Sequence, residues 1–300
     1  GRYFLDRTNR EDGLKAIVYF EEAVAADPEF ARGWTELSHA LCVGAGKNWL
    51  PVDDAYARAK QAVARALSIE PDLAEAYAAL GRIQAAYDLD LTSAGQSYAK
   101  ALNLAPANPV VADGASILEL KLGNAERAVQ LSRSVLDRDP LSGAIWHNLG
   151  LISHSAGNLE DAAAAFQKAI ELSPNRLVSH AMRSTVLLDQ ELKNEARAEA
   201  MLEPDEFWRT WALAIISFRL GDPENANRLL EELGQAYVAG DAFQLAEVCA
   251  VRGEIDDAFG WLERALKERD PGITHARVST HLRSLYDDPR WEALARKLGL

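Results

Sequence analysis

Residues 146–174 read WHNLGLISHSAGNLEDAAAAFQKAIELSP, and this stretch decides the fold. Trp146, Leu149 and Gly150 fall on one helical face, Gly157-Asn158 interrupts the helix, and Ala162, Phe166 and Ala169 fall on the face of a second helix that Pro174 stops. Two short helices joined by so tight a turn lie antiparallel. Small residues let their backbones approach closely, while the aromatic ring fills the gap to the next pair.

The pattern recurs along the chain. A small residue, a large apolar one, a second small one and a proline repeat as Ala16-Phe20-Ala23-Pro28, Ala59-Val63-Ala66-Pro71 and Ala94-Tyr98-Ala101-Pro106. Prolines 71, 106, 140 and 174 stand 34 or 35 residues apart. The preceding helices carry Trp34-Leu37 and Tyr77-Leu80-Gly81, with Gly removing the side chain where the partner helix crosses. Later copies keep Gly221 with Ala226, Leu230 and Leu233, and Gly253 with Ala258, Leu262, Ala265 and Asp270-Pro271.

These residues resemble the tetratricopeptide-repeat (TPR) family over nearly the whole chain, and the period matches its repeat of about 34 residues. The resemblance implies an all-α fold, a right-handed superhelix of antiparallel helix pairs, and a concave groove that holds a protein or peptide. About eight units are expected in a single solenoid over residues 1–300, the first incomplete and the sixth, around His180 to Glu203, weak. Pro28 and Pro71 are 43 residues apart, and the excess at Cys42 to Val52 predicts an extended inter-helix loop. Residues 279–300 read as an end cap, with Asp287-Asp288-Pro289 starting a helix whose apolar face is Trp291, Leu294 and Leu298. The opening Gly1-Arg2-Tyr3-Phe4-Leu5 reads as helix interior, so the natural chain is expected to continue upstream.

A net charge of -13 opposes nucleic-acid binding, which depends on clustered Lys and Arg. The two cysteines, Cys42 and Cys249, stand far apart and are expected to be buried and inert. The longest apolar stretch, Trp211 to Phe218, is too short to span a bilayer. A cytoplasmic location is expected, or a periplasmic one if the parent chain carries an upstream membrane span.

The stretches Glu203-Pro204-Asp205-Glu206-Phe207-Trp208, Ala246-Glu247-Val248, Gly260 to Ala265 and Asp288-Pro289-Arg290-Trp291 are similar to the C-terminal TPR region of bacterial multidomain signalling proteins. In that group the repeats follow an adenylate cyclase, a winged-helix regulator or a Ser/Thr kinase domain. The resemblance thus implies a regulatory scaffold attached to an effector. The alternative reading is a sensor that binds a small peptide or metabolite in the superhelical cavity. Homodimerisation through the convex face or the end cap stays open.

The first helices of each pair line such a groove. Here they contribute Arg82, Asp113, Ile117, His147, Asn148, Leu151, His154, Thr185, Trp208, Trp211, Ile215, Phe218, Phe243 and Glu247, and the lining grows more aromatic toward the C-terminus. Rigid rings in a concavity are what a binding hot spot requires. The competing reading has Trp208, Trp211 and Phe218 packing against the capping helices. The Lys and Asn set by which some TPR domains grip a C-terminal carboxylate is missing: Thr35, Ala78, Asp113 and His147 replace the lysines, and His39, Arg82, Ile117 and Leu151 the asparagines.

No catalytic or metal site is expected, nor a cofactor. His147 and His154 share a helix face but are separated by about 10 Å of rise, which favours independent hydrogen bonds. Gly44-Ala45-Gly46-Lys47-Asn48 departs from a phosphate loop at Leu41 and Asn48 and reads as a flexible turn. Asp88-Leu89-Asp90-Leu91-Thr92 departs from a calcium loop at Ser93 and Ala99. The acidic pairs Asp53-Asp54, Asp256-Asp257 and Asp287-Asp288 precede helical patterns and read as caps.

Overall fold

A computed structural model describes residues 1–5, 9–174, 176–237 and 240–299. Among the described residues every regular element is helical. By their internal contacts the repeats divide into two compact units, residues 1–118 and 119–298.

The first unit contains α1 (Arg2–Leu5), α2 (Arg10–Ala26), α3 (Ala31–Gly46), α4 (Val52–Ile69), α5 (Ala74–Ile83), α6 (Leu91–Leu104) and most of α7 (Pro109–Lys121). The second contains the end of α7, then α8 (Ala125–Leu136), α9 (Gly143–Ser155), α10 (Leu159–Leu172), α11 (Ser179–Asp189), α12 (Lys193–Ala200), α13 (Glu206–Arg219), α14 (Pro223–Ala236), α15 (Ala242–Arg252), α16 (Ile255–Glu268) and α17 (Pro289–Lys297). Helices α3/α4, α5/α6, α9/α10, α11/α12, α13/α14 and α15/α16 pack as antiparallel pairs. This is the solenoid arrangement that the repeat pattern implies.

The small residues sit where the pattern places them. Ala16, Ala59, Ala66, Ala94, Ala101, Ala162 and Ala169 are fully buried between helices. A Cβ on Gly150 would lie 2.8 Å from the Phe166 ring, and one on Gly81 would lie 2.8 Å from the Tyr98 ring. In both places the aromatic of the second helix occupies the volume that the glycine leaves empty. Cys42 and Cys249 are buried, and burial pushes both thiols up to about 12.

Three elements differ from the sequence expectation. The Cys42 to Val52 excess is not an extended loop: α3 continues as helix through Gly46, leaving a short turn before Val52. Trp49 anchors that turn by lying over Gly13, where any Cβ would collide with its ring, so the turn is packed. Of the acidic pairs, Asp288 is a true cap and accepts the Arg290 N–H at 2.9 Å. Asp53, Asp54, Asp256 and Asp257 lie inside the first turns of α4 and α16, where they interact favourably with the helix dipole without capping.

The weak sixth pair, α11/α12, buries Ala181, Ala196 and Ala200 between its helices and adds buried carboxylates to them. Glu199 accepts from His180 Nδ1 at 2.7 Å and from Arg183, and Glu203 accepts the N–H groups of Val178 and Ala181 at 3.1 and 3.2 Å. At the C-terminal end, α17 starts as expected. Leu294 and Leu298 are buried, Trp291 meets Tyr286 with ring centroids 4.4 Å apart, and Arg290 reaches Asp256 at 2.8 Å.

Gly150→Ala is expected to destabilise the chain by about 1–3 kcal/mol, because fully buried Phe166 cannot move aside. Gly260→Ala, where nothing lies within 4 Å of the new Cβ, is expected to stabilise by about 0.5–1 kcal/mol. Urea denaturation of the two variants checks the pair of outcomes.

Candidate binding cavity in the second unit

Between α16 and α17 the chain forms two 3-10 turns, Pro271–His275 and Thr280–Leu285. Their sequence explains the departure from the repeat. Asp270 accepts the N–H groups of Phe243 at 2.7 Å and Gly272 at 2.8 Å, Pro271 starts the turn, and Gly272 lies against Phe243 so closely that a Cβ would sit 2.7 Å from its ring.

The resulting strap crosses the first helices of the second unit. Lys121 Nζ donates to Thr274 Oγ1 at 2.8 Å, Ser155 Oγ donates to the Val278 carbonyl at 2.7 Å, and Ser284 Oγ donates to the Ala250 carbonyl at 3.1 Å. Ser279 Oγ donates to Glu247 Oε1 at 2.6 Å. The His281 ring stands edge-on to Trp211, with centroids 5.4 Å apart, and 6.4 Å from the His154 ring. The strap fills part of the first-helix groove with the chain's own residues.

Beside the strap remains a cavity of about 200 Å³. Leu120, Leu151, Val178, Met182, Trp208, Phe243 and Val278 supply apolar walls, and Gln244, Glu247 and four of the chain's six histidines, His147, His154, His275 and His281, supply polar groups. A dry cavity of about 150 Å³ holds one benzene ring, so this one has room for a single bulky group. At its rim Val178 adopts φ 77°, a left-handed conformation that a β-branched residue takes only at a cost of about 1–3 kcal/mol. Glu203, 1% exposed, holds the Val178 N–H in that position.

The residues expected from sequence separate into three groups. His147, His154, Trp208, Phe243 and Glu247 line the cavity. Trp211 is fully buried beneath His281 and Trp208, so it packs on the strap and presents no open face. Phe218 lies beneath the Arg252 guanidinium, 5.8 Å from its ring centroid, and Asn148 is half-buried on α9; neither lines the cavity. Arg82 belongs to the first unit, where its guanidinium stands 3.4 Å from His39 Nε2.

The two helix-face histidines make separate hydrogen bonds, His147 Nδ1 with Ser179 Oγ and His154 Nε2 with Asp189 Oδ2, each at 2.9 Å. Gln244, Met182, Val178 and the strap residues His275, Val278 and His281 are lining groups that sequence reasoning missed. The strap carries no helical period, and Gln244 differs from its groove-facing neighbours only by its position on α15.

Burial dominates the electrostatics. It pushes the Glu247 carboxyl up to about 8, with nearby Asp270 adding to the effect and the Ser279 hydroxyl opposing it. Asp270 is pushed up to about 7 by burial, against the two N–H groups it accepts. Burial, reinforced by Lys121 and His154 respectively, pushes His275 and His281 down to about 3. Near neutral pH Glu247, His275 and His281 therefore carry little charge, while Asp270 behind them titrates.

Residues 115–176 match a family model described as tetratricopeptide repeat. Over that stretch the chain is similar to tetratricopeptide repeats. It is 26% identical over 184 residues to tetratricopeptide repeat protein 37 of Xenopus laevis, covering 59% of this chain and 11% of that protein. It is 28% identical over 89 residues to small glutamine-rich tetratricopeptide repeat-containing protein 2 of Mycosarcoma maydis, covering 30% of this chain and 25% of that protein. The chain thus spans about a tenth and a quarter of the length of these relatives. Among solved structures, Pseudomonas aeruginosa PilF superposes with a TM-score of 0.54 at 20% identity, covering 69% of this chain and 91% of PilF. A tetratricopeptide repeat protein from Parabacteroides merdae superposes with a TM-score of 0.57 at 18% identity, covering 88% and 99%. The human IFIT1 dimer with m7Gppp-AAAA gives a TM-score of 0.64 at 15% identity, covering 85% and 68%. At these identities the likeness concerns the TPR fold alone. No described helix is long and apolar enough to cross a membrane.

Folded Glu247 holds its proton up to about pH 8, whereas an unfolded Glu releases it near 4.5. The folded state therefore binds the extra proton between those values, and stability is lost as pH rises through that window. Above pH 6.5 the histidines no longer offset this loss. Stability is expected to fall from pH 6.5 to 8, by up to about 1.4 kcal/mol per pH unit from Glu247 alone and more near pH 7, where Asp270 adds to it. Glu247→Gln should remove most of that slope, leaving the part due to Asp270 below pH 7; urea midpoints across this range are the measurement.

Proposed function

We propose that the second unit is a protein-interaction surface whose cavity beside the strap receives one bulky side chain of a partner segment. The observation that carries this reading is the cavity itself. It lies on the first-helix face of the repeats, it has the volume of one large side chain, and a strained valine held by a buried glutamate shapes its rim. TPR proteins in general mediate protein-protein contacts, and an acidic chain of net charge -13 suits a protein partner better than a polyanion. The human IFIT1 structure contains a capped oligonucleotide, but clustered cations of the kind that neutralise phosphate do not line this cavity.

The reading is non-enzymatic. Ser179 and His147 are in hydrogen-bond contact, yet Ser179 is fully buried and lies outside the cavity lining, so its hydroxyl is not presented as a nucleophile. The similarity of residues 203–208, 246–248, 260–265 and 288–291 to bacterial multidomain signalling proteins supports a scaffold that couples partner binding to an attached effector.

Selection of a displayed peptide library on the purified chain tests the reading. Enriched peptides should bind wild type at least about tenfold more tightly than Leu151→Arg, which places a charge in the apolar wall. Equal binding by a variant with an unchanged circular-dichroism melt would sink the cavity assignment.

A further inference from the structure

We infer that the cavity is selective for an uncharged aromatic side chain carrying a hydrogen-bonding group, that is, a tyrosine or tryptophan of the partner segment. This rests on the partner-binding reading above and narrows it to a chemistry.

Size sets the first limit, because about 200 Å³ admits one ring system and little more. The walls set the second. Trp208, Phe243 and the His147 ring offer edges and faces to an aromatic guest, while Leu151 and Met182 close the sides. Two polar side chains set the third. The Gln244 amide belongs to a residue only 8% exposed, lines the cavity, and makes no hydrogen bond among the described residues. The His281 imidazole lines the same cavity, stands edge-on to Trp211 and near the His154 ring, and makes no ring hydrogen bond among the described residues.

A hydrocarbon guest would expel water from both groups and leave them buried without partners, which is costly. A phenol hydroxyl or an indole N–H gives them one. Charged guests meet the opposite difficulty. Burial keeps His275 and His281 neutral, and the Glu247 carboxyl is already engaged by Ser279, so no free countercharge stands ready for an ammonium or a carboxylate. Selectivity against the wrong anchor comes from the unpaired group that the wrong anchor leaves behind.

Side-chain analogues test this on the whole chain. Ligand-observed NMR titration with p-cresol, 3-methylindole, toluene, p-toluate and benzylammonium should find p-cresol or 3-methylindole binding at least about tenfold more tightly than toluene. The two ions should bind more weakly than toluene. Gln244→Leu should reduce the advantage over toluene severalfold while leaving toluene binding in place. The wild-type series stands independently of whether that variant folds.

Binding of an ion as tight as that of p-cresol, a preference for toluene, or no binding by any analogue would overturn the inference. If library peptides lacking Tyr and Trp still bind while the analogues fail, the anchor chemistry is wrong and the partner-binding reading survives. If the analogues rank as expected but no peptide binds, the partner-binding reading is the one that falls.

Discussion

The close approach of two helices within each pair is the constraint from which the rest of the molecule follows. Gly150 against Phe166 and Gly81 against Tyr98 bring the axes near enough for the intervening alanines to be fully buried. A pair built this way still has an apolar flank, so it must stack on the next pair. Stacking then presents the first helices side by side on one face, and that face supplies His147, Leu151, Trp208, Phe243 and Gln244 to the cavity.

What was legible in the sequence was what short-range spacing encodes. The alanine, aromatic and proline positions placed the pairs, and Asp288-Pro289 placed the start of α17. The Cys42 to Val52 segment was misread because the excess residues suggested a loop, while α3 had a packing reason to continue: Trp49 needed a glycine to cover, and Gly13 lies on another helix. The sixth pair looked weak because part of its cohesion comes from Glu199 and Glu203, beside the buried Ala181, Ala196 and Ala200, and buried carboxylates do not register in an apolar pattern.

The cavity was half legible for the same reason. His147, His154, Trp208, Phe243 and Glu247 follow from the helical face they share with the repeat. The strap does not, since its bonds join residues remote in sequence, such as Lys121 with Thr274, 153 positions apart. Trp211 shows how this alters a reading: it sits on a first helix, but the chain's own His281 occupies the space in front of it.

That long-range bond changes how the second unit can come apart. A solenoid in which each repeat touches only its neighbours frays from its ends, one pair at a time. Here the strap leaving α16 is fastened to α7, α9 and α15 at once, so the terminal pair cannot peel away without breaking contacts at the opposite end of the unit. The strap therefore ties distant repeats of the second unit together, so its loss of structure is expected to be cooperative, with the slower folding that distant contacts impose.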